Sequence, residues 1–345
     1  MNTEILNVRS LPEDRDKIER AAAVLQNGGL VVMPTETVYG LGGIATSDAA
    51  ARAIYAAKGR PSDNPLIIHI ARPEDAEDYA VTSETYYRLA AQFMPGPLTV
   101  ILPKKDTIPS SVTGGLDSVA VRCPAHPVAN ALIRATGAPI AAPSANRSGR
   151  PSPTCAAHVI EDLFGRVDII LDGGECEVGL ESTIVKLDGD KAVLLRPGGI
   201  TLDALSCVCE TSVAPAVTAA LAEGERPLSP GMKYRHYAPR ASLCLLEGEE
   251  ERVLRFLSEV AKDKCVGILC YDEELPLLRG AATLFPVGAR EDLAAQAKHL
   301  FSALREADQH PELTALYAHL PPREGLGLAL YNRCIRAAAH TVKKI

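Results

Sequence analysis

Two short segments of this sequence concentrate side chains that suit phosphate chemistry. The first, KGRPSDNPLIIHI at residues 58–70, carries Lys58, Arg60 and Asn64 on a loop bounded by glycine and proline, and a strand then carries His69. Arginine offers an anion a planar fork of donors and lysine offers a point charge, so this loop suits a polyphosphate. Taken alone, the segment leaves an alternative open, in which Lys58 and Arg60 only complement the dipole at the end of a helix.

The second segment, PIAAPSANRSGRPSPT, occupies residues 139–154. Its predicted strand ends in Pro143, and a turn rich in Gly, Pro and Ser then displays Ser144 and Asn146. Hydroxyl and amide groups at the end of a strand are typical of ligand sites in α/β sheets. Ordinary turn chemistry favours the same residue types, so this segment alone is better explained as a turn than as a site.

Four further segments carry isolated polar residues beside apolar strands. In PTETVYGLGG a strand is predicted to run into a Gly-rich turn, with Thr35 and Thr37 on one face. In VAVRCP, Arg122 needs an anion, because burying an unpaired arginine is costly. That anion is either a ligand or a structural carboxylate, and the sequence leaves both open. Ser182 opens the strand of GLESTIVKL, and Arg196 ends the strand of LLRPGG.

Composition limits the classes of function. The chain has 345 residues, a formal net charge of −7 and 4% aromatic residues, which disfavours non-specific nucleic-acid binding. It has neither a GxxxxGK[ST] loop nor a GxGxxG segment after a strand, so any nucleotide is bound by another design. Nine scattered cysteines without a CxxC pair, a polar N-terminus and the lack of a long apolar stretch predict a cytoplasmic protein with reduced thiols and no membrane contact.

The elements that must position these residues form two α/β regions. The first alternates predicted helices (13–27, 47–58, 83–94 and about 126–136) with predicted strands (30–34, 65–70, 97–103 and 118–124), and strands continue to about residue 200. An Ala-rich helix is predicted over 203–224 and a Pro-rich linker over 225–241. Four apolar strand-like runs then alternate with helices near 249–263, 290–307 and 326–342. We therefore predict a domain at 1–210, a helix and linker at 211–241, and a smaller α/β domain at 242–345.

These blocks together resemble the YrdC-type family. KGRP and NPL, followed by PSAN, match the family's K-x-R and S-x-N signature, and PTETVYGLG, FMPGPLT, RCP and GLESTIV occur in the family's order. The similarity covers about residues 12–205. The continuation, SPGMKYRHYAPR followed by a small α/β domain, resembles the long, two-domain form of the threonylcarbamoyl-AMP synthases. The resemblance implies a twisted mixed sheet with helices around a basic cavity, and a smaller, Rossmann-like C-terminal α/β domain.

The resemblance also implies a reaction. L-Threonine, bicarbonate or CO2, and ATP would give threonylcarbamoyl-AMP and pyrophosphate, by nucleotidyl transfer. The product would feed the threonylcarbamoyladenosine modification of tRNA, through a functional link to the transfer enzymes. Because the attacking carbamate is already an anion, positioning and charge neutralisation would carry the catalysis, with Lys58 and Arg60 as the catalytic cations. Mg²⁺ is expected as a cofactor that arrives with the triphosphate and needs no dedicated protein site.

Site residues follow from the resemblance, position by position. Those expected to face ATP are Lys58, Arg60, Asn64, Ser118, Ser144, Asn146, Ser152, Arg196 and Tyr234. Those expected to hold threonine are Thr37, His69, Arg122, Ala142 and Ser182, with Arg122 on the α-carboxylate. We also hypothesise that the cationic segment around Tyr234, Arg235 and His236 closes over the nucleotide as a lid. An ordinary surface linker is the alternative, and an unchanged yield of adenylate after deletion of 226–240 would contradict the lid.

Two other functions remain as alternatives at this point. A carbamoyl-transfer enzyme of hydrogenase maturation carries a similar module, but it would need acylphosphatase-like and zinc-finger regions that this sequence lacks. A non-catalytic RNA-binding or ribosome-associated protein with a basic cavity is the second alternative, and the net acidity and the few aromatic residues disfavour it. The oligomeric state and direct contact with tRNA are not indicated by the sequence.

Overall fold

A computed structural model describes residues 2–218 and 236–345 of the chain. It divides into two compact units. The first comprises Met1–Ser148, Ser152–Glu177 and Glu181–Lys233, and the second comprises Gly149–Pro151, Val178–Leu180 and Tyr234–Ile345. The second unit thus combines the C-terminal region with two short segments from earlier in the chain. The linker proposed from the sequence falls largely outside the described residues, including Tyr234 and Arg235.

Helices and strands alternate through the first unit. Its strands are β1 (Glu4–Asn7), β2 (Val31–Met33), β3 (Gly40–Ile44), β4 (Ile67–His69), β5 (Leu98–Pro103), β6 (Ser118–Arg122), β7 (Ile140–Ala141), β8 (Ile169–Asp172), β9 (Thr183–Asp188), β10 (Lys191–Arg196) and β11 (Thr211–Val213). Its helices are α1 (Arg15–Gln26), α2 (Asp48–Lys58), α3 (Glu84–Phe93), α4 (Ser110–Thr113), α5 (Pro127–Thr136), α6 (Ala156–Leu163) and α7 (Leu202–Ser206).

Within the described ranges, these strands form one mixed sheet in the order β1-β8-β2-β3-β7-β4-β6-β5-β9-β10-β11. The centre mixes both directions: β4 runs parallel to β6, while β7 pairs antiparallel with β3 and β4. The order brings β7, β4 and β6 side by side although other elements separate them in the chain. Residues expected in the site from separate sequence blocks therefore lie on neighbouring strands.

Local sequence explains where α2 begins and ends. The Ser47 side chain accepts a hydrogen bond from the Ala50 N–H, which caps the first turn, and Asp48 complements the positive end of the dipole. Gly59 ends the helix in the left-handed region at φ +64°, a conformation that glycine adopts without strain. The cap and the glycine fix Lys58 as the last helical residue, and the predicted bounds of this helix are confirmed.

The hydrophobic core of the first unit lies mainly between its helices and the sheet. One buried cluster joins apolar side chains of α1 and α5 to strands β2, β7 and β8, and includes Leu25, Val31, Leu132, Ile140 and Ile169. A second buried cluster consists of Ile67, Ile101, Ala120, Ile184 and Leu195, from five different strands. Both clusters hold the central strands in register, and the polar ends of those strands carry the candidate site.

The second unit contains a separate sheet with helices. Its strands are β12 (Ser242–Glu247), β13 (Val266–Cys270), β14 (Thr283–Pro286), β15 (Ala315–His319) and β16 (Val342–Lys344), and its helices are α8 (Glu250–Val260), α9 (Leu293–Ala307) and α10 (Gly327–Ala337). In the described ranges these strands are all parallel, in the order β14-β13-β15-β12-β16. Parallel strands linked through helices are the arrangement of Rossmann-like folds, so the predicted fold class of both regions is confirmed.

Three predicted elements differ from the structure in part or in whole. The Ala-rich helix at 203–224 ends after α7, and β11 follows it and pairs parallel with β10. The helix predicted at 326–342 stops at Ala337, and its last predicted residue begins β16. Thr35 and Thr37 lie in the loop after β2, while the predicted Gly-rich turn at 40–43 is strand β3. In each case pairing with neighbouring strands overrides local propensity.

Two properties relate to the predicted environment of the chain. All nine cysteines lie in the described residues as free thiols, as expected. In those same residues, no helix is long and apolar enough to cross a membrane.

Candidate active site

Lys58 joins the two main sequence clusters of the candidate site. Its side chain is buried, and Nζ donates hydrogen bonds to the carbonyl oxygen of Ser144 at 2.5 Å and to the carbonyl oxygen of Asn146. A longer contact of 3.5 Å reaches the Asn146 side-chain Oδ1. The Ser148 N–H in turn donates to the Lys58 carbonyl at 3.0 Å. The end of α2 and the loop after β7 are therefore tied together around one buried ammonium group.

The Ser144–Asn146 turn is ordered by its own polar side chains. Ser144 Oγ donates to Asn146 Oδ1 at 2.5 Å, and Asn146 Nδ2 donates to the Arg147 carbonyl at 2.8 Å. Gly40 in β3 forms an isolated antiparallel bridge with Ser144. These contacts hold a hydroxyl and an amide at the end of a strand, beside a cation, which is an arrangement that suits an anionic ligand.

Arg60 and Asn64 shape the loop that follows α2. Arg60 Nε donates to the Asn64 carbonyl at 3.3 Å, and Nη2 donates to the Pro65 carbonyl at 3.1 Å. The Asn64 side chain is buried, yet its Oδ1 accepts no hydrogen bond from any described residue. A buried amide oxygen without a donor is uncommon. Ser118 begins β6, and the parallel register of Ile67 with Ala120 sets it beside the entry to β4 that follows this loop.

Ser182 lies between the residues expected to hold threonine and those expected to face ATP. Its Oγ is 2.7 Å from the hydroxyl of Thr99 and accepts from Arg196 Nη2 at 3.2 Å, while Arg196 Nε donates to the Ser182 carbonyl at 3.0 Å. Ser152, completely buried, donates to Glu181 Oε1 at 2.5 Å. Two residues expected to face ATP, Ser152 and Arg196, thus contact the consecutive positions 181 and 182, of which Ser182 is expected to hold threonine.

Arg122, the residue expected to bind a carboxylate, belongs to a buried ion pair. Arg122 Nη2 lies 2.7 Å from Glu36 Oε1, and both side chains are at most 7% exposed. The second oxygen, Glu36 Oε2, accepts from the Ala125 N–H at 3.2 Å. Burial alone would raise the pKa of Glu36, but the charge and hydrogen bond of Arg122 outweigh it and hold the pKa below its usual value. The structural carboxylate left open by the sequence is therefore present.

His69, Thr37 and Ala142 lie around this pair. His69 is directly opposite Arg122 in the β4–β6 register, and its Nδ1 is 3.1 Å from the Ile67 carbonyl. Burial, and then the Arg122 charge, lowers the pKa of His69 to about 3, so the imidazole is neutral near pH 7. Thr37 Oγ1 is 2.9 Å from Thr35 Oγ1, and the buried Ala142 donates its N–H to the Ile67 carbonyl at 2.9 Å.

Sequence reasoning missed three buried residues of this site. In the sequence, Glu36 stands between the two threonines of PTETVYGLGG, Thr99 lies in a predicted apolar strand, and Glu181 directly precedes Ser182. A signal was available for the first, because Arg122 required an anion and PTETVYGLGG supplies a carboxylate in an otherwise uncharged block. No comparable signal marks Thr99 or Glu181. Of the sequence-predicted residues, Tyr234 lies outside those that the structure describes.

The donor set has little resemblance to a metal centre. Across residues 2–218 and 236–345, no group of three or more His, Cys, Asp or Glu side chains is placed to hold a metal ion. Cations, hydroxyls and amides instead lie at the end of α2 and at strand ends of a mixed α/β sheet. Fold and site together define an α/β protein with a polar, cationic candidate site, assembled from separate sequence blocks.

Comparison with known proteins identifies the family. The model for the Sua5, YciO and YrdC proteins, described as "Telomere recombination", matches residues 23–198, and that for the threonylcarbamoyl-AMP synthase C-terminal domain matches residues 200–339. The chain is similar to threonylcarbamoyl-AMP synthases of Pyrococcus abyssi (44% identity, covering 99% of this chain and 100% of the relative) and Bacillus subtilis (45%, covering 94% of each). The chain therefore belongs to the threonylcarbamoyl-AMP synthase family.

A solved structure agrees with this assignment. P. abyssi Sua5 complexed with L-threonine is similar to this chain with a TM-score of 0.90 and 42% identity, over the whole of both chains. The resemblance to the YrdC-type family and to its long, two-domain form, drawn from ordered sequence blocks, is confirmed. The individual roles assigned to site residues stay predictions.

Proposed function

We propose that this protein is an L-threonylcarbamoyladenylate synthase, which converts L-threonine, bicarbonate or CO2, and ATP to threonylcarbamoyl-AMP and pyrophosphate. One observation carries the proposal: relatives at 44% and 45% identity, matched over nearly their whole length, are named threonylcarbamoyl-AMP synthases. The contacts of Lys58 with Ser144 and Asn146, and of Arg196 with Ser182, support the same conclusion.

The chemistry proposed is a nucleotidyl transfer. The neutral amine of threonine adds to CO2 and loses a proton, which gives a carbamate. A carbamate oxygen then attacks the α-phosphorus of ATP, a new P–O bond forms, the bond to the β-phosphate oxygen breaks, and pyrophosphate leaves. Since the nucleophile is already anionic, the protein must mainly align the reactants and neutralise charge. A site in which buried cations and hydroxyls outnumber carboxylates suits that requirement.

The nucleotide is proposed to lie along the first cluster. Lys58 and Arg60 would neutralise phosphate charge, and the orphan Oδ1 of Asn64 would accept from the ligand or from a water bound with it. Ser144, Asn146, Ser118, Ser152, Arg196 and Tyr234 complete the proposed ATP set. Mg²⁺ is proposed to arrive with the triphosphate and to neutralise part of its charge, because the donors gathered here are not those of a protein cage for Mg²⁺.

Threonine is proposed to occupy the region around Arg122. Its carboxylate would accept from Arg122, since guanidinium–carboxylate pairs are strong and directional. Thr37, the neutral His69, Ser182 and the backbone at Ala142 would recognise the rest of the amino acid. A site built to hydrogen-bond a substrate hydroxyl rejects an analogue without one by about 10⁴-fold in favourable cases.

The cellular setting is also proposed. The free thiols suit a reducing compartment, so we place the reaction in the cytoplasm. The product would be consumed by enzymes that transfer the threonylcarbamoyl group to tRNA. We propose a functional link to those enzymes.

Pyrophosphate release tests this function and separates it from a non-catalytic RNA-binding role. The wild-type protein is incubated with Mg²⁺ and ATP, with threonine and bicarbonate each present or omitted. We expect pyrophosphate only when both are present, and pyrophosphate release without threonine would contradict the proposal.

Replacing the buried cation provides the matched mutant. Lys58→Met should lower kcat/KM for ATP by about 10²–10³-fold, the usual cost of removing one fixed donor from a charged transition state. Lys191→Met is the control, because Lys191 forms an exposed ion pair with Glu210 and lies outside the proposed site. A Lys58→Met enzyme within threefold of wild type would remove Lys58 from the catalytic role.

A further inference from the structure

We propose that Glu36 is a positioning residue for the amino-acid substrate: it holds the Arg122 guanidinium at Nη2, so that the neighbouring Nε donor is left for the substrate carboxylate. The inference rests on the proposed function and extends it to a residue that does not itself touch substrate. It begins from the geometry of the ion pair. Glu36 Oε1 accepts from Arg122 Nη2 at 2.7 Å, and Oε2 accepts from the Ala125 N–H at 3.2 Å.

Using both carboxylate oxygens fixes the orientation of Glu36. One oxygen is anchored to the backbone at the chain segment that enters α5, and the other holds the guanidinium. A carboxylate bound at both oxygens cannot rotate without breaking one hydrogen bond. Glu36 therefore forms a fixed connection between the loop after β2 and the end of β6.

The Nε donor of Arg122, next to the Nη2 that Glu36 holds, shows what this contact serves. Arg122 Nε is buried and donates to no acceptor in the described residues. Arginine is always charged, so a buried N–H without an acceptor is costly unless a ligand completes it. If Glu36 served only to neutralise Arg122, a fork-to-fork pair using Nε and Nη2 together would be the stronger arrangement. The observed contact uses Nη2 and leaves the Nε donor to another acceptor.

Neighbouring residues are consistent with a ligand carboxylate at that donor. His69, opposite Arg122 in the register, is neutral near pH 7. It therefore does not compete with Arg122 as a cation for the ligand carboxylate. Thr37, which follows Glu36 directly, is completely buried and belongs to the proposed threonine set. A carboxylate placed on Nε would thus lie among residues proposed to contact the same substrate.

The variant Glu36→Gln keeps the size of the side chain and removes its charge. Its amide can present an acceptor either to Arg122 or to the Ala125 N–H, but its NH2 group cannot accept at the other. We expect the threonine KM to rise about tenfold or more, the range of one lost charge-assisted hydrogen bond. The ATP KM and the kcat at saturating threonine should change less than about twofold, since ground-state and transition-state binding fall together.

Two further measurements separate positioning from a general structural effect. A positioning role predicts that Glu36→Gln adds little further loss of threonine affinity when Arg122→Met is already present, because both act through one contact. Glu210→Gln, in an exposed ion pair with Lys191, is the matched control and should leave both KM values unchanged. If Glu36→Gln instead raises the ATP and threonine KM values equally, or adds fully to Arg122→Met, the inference is wrong.

Failure of this inference is distinguishable from failure of the proposed function. A wild-type protein that releases no threonine-dependent pyrophosphate overturns the proposed function, and the inference falls with it. An active wild type whose Glu36→Gln variant keeps the normal threonine KM overturns only the positioning role. Melting curves of all the variants show whether each is folded at the assay temperature. If Glu36→Gln is unfolded, Glu36→Asp is used in its place, because it keeps the charge but shortens the side chain.

Discussion

The neutral, buried His69 predicts a specific loss of stability in mild acid. Its pKa in the folded protein is about 3, because burial and then the Arg122 charge disfavour the protonated imidazole, whereas the ordinary value is 6.5. Below pH 6.5 the unfolded chain therefore binds a proton at this position that the folded chain does not. The stabilising contribution of the neutral imidazole is complete above about pH 6.5 and is lost progressively as the pH falls toward 3.

The size of the effect follows from these two values. Each pH unit well inside that window costs about 1.4 kcal/mol for a single group, so lowering the pH from 7 to 5 costs about 2 kcal/mol at His69. Glu36, whose pKa is lowered, contributes its own loss only below about pH 4.5, the ordinary value for glutamate. Between pH 7 and 5 the titrating groups of this ion-pair region are therefore histidines: His69, and also His126, whose pKa is lowered by burial. Replacing His69 alone isolates its share.

Urea unfolding of the wild type and of His69→Gln at pH 7 and pH 5 measures this contribution. Glutamine does not titrate, so the free energy of unfolding of His69→Gln should fall by about 2 kcal/mol less than that of the wild type. Because a two-domain chain need not unfold in one step, hydrogen exchange of peptides from β4 and β6 assigns the transition to this sheet.

His310→Gln is the matched control for that measurement. His310 is only partly buried, lies in the second unit and pairs with Glu312 at 2.9 Å, so its replacement should leave the acid sensitivity of the β4–β6 transition unchanged. Equal acid sensitivity in the wild type and His69→Gln would refute the reasoning, because it would mean that His69 is protonated in the folded protein.

Two further predictions concern hydroxyl groups of the site. Thr99→Val removes the hydroxyl that lies 2.7 Å from Ser182 Oγ, and we expect the threonine KM to rise about 2–12-fold with the ATP KM unchanged; an unchanged threonine KM would contradict the role of Ser182. Ser152→Ala removes a buried donor to Glu181, and should lower the melting temperature of the first unit by about 2–8 °C; a melting temperature within 1 °C of wild type would contradict the importance of that bond.

Sequence reasoning succeeded where local chemistry decides local structure. Lys58 as the last residue of α2 and Arg196 at the end of β10 both follow from a glycine and an apolar run in the neighbouring sequence. Ordered motif blocks then predicted the family. These features need only a few neighbouring residues, so a single sequence contains the information.

Errors arose where distant strands decide the structure. Glycines at 40–43 predict a turn, yet β3 needs them: a Cβ on Gly42 would lie 2.7 Å from Ile140 Cγ2 and 3.0 Å from the Val31 carbonyl oxygen. Only glycine allows that close approach between neighbouring strands. Likewise Thr211–Val213 forms a strand because β10 is available as a partner, which no local pattern indicates.

The sequence indicates candidate residues for the site but not the contacts between them. Nothing in the sequence places Lys58 against the carbonyl groups of Ser144 and Asn146, since more than 80 positions separate them and sheet order brings them together. Glu36 was missed for the same reason, because its partner Arg122 lies 86 positions away.

Mass spectrometry with labelled bicarbonate tests the central claim most directly. The purified protein is supplied with ATP, Mg²⁺, L-threonine and ¹³C-bicarbonate, and the nucleotide products are identified by mass. The account predicts an AMP adduct that carries threonine and one carbon from bicarbonate, formed together with pyrophosphate. AMP and pyrophosphate without the labelled adduct, or an adduct that lacks the ¹³C label, would contradict it.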